Sequence, residues 1–181
     1  MFKLKLITAF ALIAIVPGFA YSANTINFSG EVTDQTCSAV VDGNTDPTVI
    51  LKSVPASELN GAVGKSTGET SFTLRLTGCA APSTGQDKFS AEFQAANATA
   101  AGNLTNTASS GAGGVALQLL DAPGGTPVKF NGNATVKAGN IILAAGQTSA
   151  SYDYAVRYVS EAASVTPGPV LSSVMYTVRY E

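Results

Sequence analysis

The chain has 181 residues, enough for one ordinary domain, and its 10 basic and 12 acidic residues leave a formal net charge of −2, which gives no grip on nucleic acid. Charged residues make up only 12% of the chain, against about 25% in ordinary soluble proteins, so the surface must be neutral and polar. Histidine is absent, which removes imidazole acid/base catalysis, Ser-His-Asp and Cys-His nucleophiles and imidazole metal ligands, and two cysteines alone cannot build a structural zinc site.

The first element is an export signal. Lys3 and Lys5 give a positive start, and the run from Leu6 to Val16 is apolar except for Thr8. Its length of about 11 residues is too short to span a membrane, which takes about 18 or more. Pro17 and Gly18 break the run, and Ala20 and Ser22 place small side chains where a signal peptidase reads them. Residues 1–22 are therefore a signal peptide with cleavage after Ser22; cleavage after Ala20 or Ala23 are the alternatives. The mature chain keeps eight basic against twelve acidic residues, a net charge of −4.

An extended segment follows directly. Ile26, Phe28 and Val32 share one face of it, and Gly30 lies on the same face. A glycine inside a strand weakens it and marks a place of close approach, although a plain first strand of the domain fits the same pattern. In an exported chain with no third cysteine to compete, Cys37 and Cys79 are expected to form one disulfide; a redox pair would prefer the C-x-x-C spacing, which is lacking.

Beyond Cys37 the hydrophobic pattern has period two. Val49 to Leu51 reads as a short strand, and Ser53 to Leu59 as one or two helical turns with Ser53 as cap and Pro55 near the start. Phe72, Leu74 and Leu76 alternate with Ser71, Thr73, Arg75 and Thr77. Phe89 to Phe93 is a further strand, and the small, uncharged stretch from Ala95 to Gly114 a long surface loop or weakly specified edge. Val115 to Leu120, Val128 to Phe130, Ile141 to Leu143 and Tyr152 to Tyr158 complete the series, separated by Gly, Pro, Asn and Ser. Many short strands with frequent turns imply a sandwich or barrel. Acidic and basic pairs such as Asp42 with Asp46, or Glu58 with Lys65, fall in turns where solvation is their role. Gly111 to Gly114 leads into a strand rather than a helix, which disfavours a phosphate cradle. No catalytic residue, cofactor or metal site is expected.

At the far end Val174, Tyr176, Val178 and Tyr180 line one face of a strand, Met175, Thr177 and Arg179 line the other, and Glu181 follows. An immunoglobulin-like sandwich has a further strand at this point, and no residues are found to make it. The missing strand would expose an apolar groove, which could not persist in water.

The chain resembles the pilins of the chaperone-usher (type 1 fimbrial) family. The resemblance is carried by T-I-N-F-S-G-E-V-T-D-Q-T-C from Thr25 to Cys37, by F-T-L-R-L-T-G-C ending at Cys79, by G-V-A-L-Q-L-L-D from Gly114 to Asp121, by Y-A-V-R-Y followed by T-P-G from Thr166 to Gly168, and by the penultimate Tyr180. It spans nearly the whole mature chain.

The resemblance implies an all-β, incomplete immunoglobulin-like β-sandwich lacking its last strand, over residues 36–181, behind a donor-strand extension at 23–35. Ile26, Phe28, Gly30 and Val32 would form the inserting face. Gly168, Val174, Tyr176, Val178 and Tyr180 would belong to the strand that borders the receiving groove and meets the chaperone. The implied partners are neighbouring pilin subunits in a head-to-tail polymer, a periplasmic chaperone and an outer-membrane usher, with export through the periplasm to a surface fimbria that supports cell adhesion. A single-domain fimbrial adhesin or chain-ending minor subunit is the alternative.

Overall fold

The computed structural model describes residues 35–45 and 47–181. The signal peptide, the extension carrying Ile26, Phe28, Gly30 and Val32, and Asp46 lie outside the described residues. Eight strands are named in chain order: β1 (Ser38–Val41), β2 (Ser66–Thr77), β3 (Gln86–Ala95), β4 (Leu104–Thr105), β5 (Val115–Leu120), β6 (Val136–Ala144), β7 (Ser149–Ser160) and β8 (Val174–Tyr180). They form two antiparallel sheets, one in the order β1-β2-β7-β5-β4 and the other β6-β3-β8. The architecture is the incomplete sandwich that the sequence implies.

Alternation explains which faces meet. Leu74 and Leu76 of β2 are buried while Arg75 between them is exposed, and β2 pairs with β7 so that Phe72 stands opposite Tyr154. From the second sheet Phe89, Ala91, Phe93 and Ala95 of β3 point into the same core. The rings of Phe72 and Phe93 pack on Tyr154 at centroid distances of 5.7 and 5.1 Å. The Tyr154 hydroxyl donates 2.9 Å to the carbonyl of Ala138, on β6 of the opposite sheet. That contact needs Gly139, which has φ +81° at a bulge in β6, because a side chain there would run into the Tyr154 hydroxyl. Burial, and then repulsion from Tyr152, pushes the Tyr154 phenol well above its ordinary value.

All of β5 is buried, including the polar Gln118. Its amide oxygen accepts two bonds from Arg157, at 3.0 and 2.7 Å, and its nitrogen donates 2.9 Å to Asn103. Asn103, itself 3% exposed, donates 2.6 Å to Glu161, and Lys129 donates 3.2 Å to its oxygen. This closed set of bonds pins the low-complexity stretch. That stretch is accordingly more structured than a surface loop: it contributes buried Leu104 and the edge strand β4.

Three local expectations are corrected. Residues 128–130 make no strand, although Val128 and Phe130 are buried in the core. Pro127 has no N–H to donate, and instead of a ladder there is a bond from the Val128 N–H to the Leu119 carbonyl (2.8 Å), an isolated bridge between Leu120 and Pro127, and a bond from the Phe130 N–H to the Gly102 carbonyl (3.1 Å). Residues 49–51 form no strand and belong to no ladder; Val49 and Leu51 pack on the core, and Ile50 is 83% exposed. The helical segment is a single 3-10 turn, Ala56–Glu58. Pro55 rather than Ser53 holds the cap position, with no side-chain cap bond.

Candidate functional site: a groove between two edge strands

The two sheets end differently on one side of the sandwich. β1 is the outer strand of the larger sheet and β8 the outer strand of the smaller, each paired with one neighbour among the described residues. Between them runs an apolar groove of about 780 Å³. Its walls are Ala39 and Val41 of β1 and Val174, Tyr176 and Val178 of β8, and its floor includes Leu74, Phe93 and Leu117 from the core. Residues 170–173 continue the β8 wall, and residues 47–49 with Leu51 continue the β1 wall. Around the groove stand Ile50, Leu171 and Met175, which are 83, 61 and 57% exposed, so this side of the molecule is far more apolar than the rest of so polar a surface implies.

The cause is the same alternation that built the core. Val174, Tyr176 and Val178 are opposite Ala95, Phe93 and Ala91 of β3, all buried, so their side chains face inward. Inward-facing residues on an outermost strand have a neighbour on one side only. What the groove can do chemically is accept an extended segment. Such a segment would pair with the rims through its backbone and fill the space with alternate side chains. No described group of three or more His, Cys, Asp or Glu residues could hold a metal ion.

The fimbrial protein family matches residues 26–181 of the sequence. The chain belongs to the fimbrial protein family. It is 38% identical over 159 residues to the F17 fimbrial protein of Escherichia coli, covering 86% of each chain. It is 34% identical over 176 residues to the major fimbrial subunit SMF-1 of Stenotrophomonas maltophilia (strain K279a), covering 93% of this chain and 99% of that one. Among solved structures it is similar to the antigen and type I fimbria protein BPSL1626 of Burkholderia pseudomallei, with a TM-score of 0.55 and 25% identity, over 81% of this chain and 99% of that one. The P pilus rod subunit PapA shares the fold, with a TM-score of 0.59 at 15% identity, over 80% of this chain and 99% of that one. The pilin resemblance read in the motifs is thus one of family, and this fimbrial protein is a structural subunit.

Within the fimbrial protein the structure separates residues that the sequence grouped. Val174, Tyr176 and Val178 line the groove, whereas Tyr180 does not. Its ring packs edge-on against Phe89 at 5.4 Å, and its hydroxyl donates 3.2 Å to Asp87. Gly168 lies before β8 and outside the groove lining. It passes so close to the 111–112 backbone that a Cβ would stand 2.5 Å from the Ala112 nitrogen, which is a packing reason for glycine there. Cys37 and Cys79 are joined, fastening the start of β1 to the end of β2.

On the outer face of the smaller sheet, Glu181 pairs with Lys137 of β6, and Arg179 lies 2.9 Å from Glu92 of β3. The hydrogen bond from Lys137, then one from Ser90, holds the Glu181 carboxyl below the usual carboxylate range. These contacts tie the final strand to its sheet. Sequence reasoning missed the β1 wall, too short to show a period, and Asp87 with Gln35, whose partners are distant in the chain.

Proposed function

We propose that this subunit polymerises head to tail by donor-strand exchange into a surface fimbria that supports adhesion, the 23–35 extension of one copy filling the groove of the next. The observation that carries the reading is the apolar groove between two edge strands of opposite sheets, with inward-facing Val174, Tyr176 and Val178 on its wall. The alternation of Ile26, Phe28, Gly30 and Val32 supplies side chains at the spacing such a wall accepts. Because donor and groove are different patches, the contact does not close on itself and an open fibre results. A periplasmic chaperone holds the groove until assembly at an outer-membrane usher, and the signal peptide supplies the route. The subunit has no enzymatic role.

Burying Ile26, Phe28 and Val32 at about 1.5–3 kcal/mol each gives a gross gain of roughly 5–9 kcal/mol, before ordering costs. The test is Phe28→Ala, a truncation of about 3–5 kcal/mol per contact. Its subunit should co-purify with a tagged chaperone, while its fibres form poorly or dissociate on mild heating. Loss of chaperone binding with fibres of normal stability would reverse the assignment of the two ends.

A further inference from the structure

The groove is longer than the apolar face proposed to fill it. Residues 170–178 line its β8 side, and at about 3.4 Å per residue they span up to roughly 27 Å. The face from Ile26 to Val32 spans about 20 Å on the same rise. The difference is about two residues. Two is also the smallest slip that keeps the same side chains pointing inward, because a one-residue slip would turn them all outward. Apolar side chains in an apolar groove discriminate poorly between such registers, so something else must fix the position.

One end of the groove has a structure suited to that. The lining stops at Ala39 on β1 and Val178 on β8. Just beyond, the Asp87 carboxylate bridges the two sheets: Gln35 donates 2.6 Å to one oxygen and the Tyr180 hydroxyl donates 3.2 Å to the other. Gln35 lies just before β1 and Tyr180 ends β8, so the bridge connects the two walls of the groove where it terminates. Both arms are braced. Thr36 donates 2.8 Å to the Gly78 carbonyl, and the Cys37–Cys79 bond follows it. On the other side Phe89 packs on the Tyr180 ring, and the Glu181 N–H donates 2.9 Å to the Lys88 carbonyl.

We infer that the Gln35–Asp87–Tyr180 bridge is an end stop that fixes the register of the incoming donor strand, with Asp87 as the positioning residue. This rests on the strand-exchange reading above. A donor strand sliding toward this end meets a hydrogen-bonded carboxylate and a phenol ring where its next side chain would need apolar space. Advancing would strip the Asp87 carboxylate of both partners, and hydrogen bonds to a charged group are costly to lose.

The test maps register in assembled fibres of the full chain. A short diazirine side chain is introduced at Ser29 in the donor segment, and its inter-subunit photo-cross-links are located by mass spectrometry. Fibres otherwise unsubstituted should give one cluster of products on the groove walls. Asp87→Ala fibres should give a second cluster displaced by two residues toward Tyr180. Tyr180→Phe and Gln35→Leu, which each remove one arm, should give the same displaced products in smaller yield and serve if Asp87→Ala fails to assemble. A single unshifted cluster in the variants that assemble would overturn the end stop while leaving strand exchange intact. No cross-link from position 29 to β1 or β8 of a neighbour in the unsubstituted fibres would overturn strand exchange itself.

Discussion

Tyr154 shows how a single residue couples the two sheets. Its ring is clamped by Phe72 and Phe93, its hydroxyl bonds the Ala138 carbonyl, and the room for that bond exists because position 139 is glycine. Gly139→Ala should therefore cost about 1–3 kcal/mol from overpacking, with further strain from the left-handed backbone. Tyr154→Phe should cost about 1 kcal/mol for the lost bond. The double variant should be more stable than the sum of the two costs allows, since removing the hydroxyl relieves the collision; denaturant midpoints of the four proteins form the cycle that checks it. The phenol also carries a pH signature. Its folded value is raised above that of the unfolded chain, so its contribution is complete below about pH 10 and is lost as the pH rises above that. Stability measured through alkaline pH should fall more steeply for the unsubstituted protein than for Tyr154→Phe.

Among the elements, β1 depends most on its covalent attachment. It is four residues long, pairs among the described residues with β2 alone, and is fastened by Cys37 to Cys79 across a separation of 42 residues. Chain entropy assigns such a closure about 4 kcal/mol, so Cys37→Ser should greatly reduce accumulation of the subunit, and thiol labelling of the unreduced, denatured parent should find no reactive cysteine. The longer strands were legible in the sequence because half-buried elements of several residues show their alternation. β2, β3, β5, β6, β7 and β8 all contain a segment read as strand. β1 and β4 did not show, since four and two residues are too few to display a period. Val128 and Phe130 looked like strand because they are core residues, but their backbone lacks a ladder at Pro127. The groove was legible in the same uneven way. Its inward face on β8 follows from local alternation, whereas Asp87 is 52 residues from Gln35 and 93 from Tyr180, and no local pattern announces a contact at those separations.

At the scale of the whole molecule, β8 is the strand that covers one side of β3 in the smaller sheet. Truncation after Met175 would strip β3 of most of its partner and expose Phe93 and Ala91, so this variant should fail to accumulate even when a chaperone is supplied, as immunoblots of cell extracts would show. The disulfide has a mechanical meaning as well. On the strand-exchange reading, force in a fibre under tension enters each subunit through the extension that leads into Gln35 and reaches Cys37 two residues later. From there the sulfur bridge leads directly to Cys79, so the segment enclosed between the cysteines, with β1 and all of β2, cannot be drawn out when the subunit opens. A subunit pulled open would release about 140 Å less chain than its length allows, at about 3.3–3.6 Å per enclosed residue. Reduction of the bridge should restore that missing extension in single-fibre pulling, making the cystine a limiter of how far each subunit can stretch.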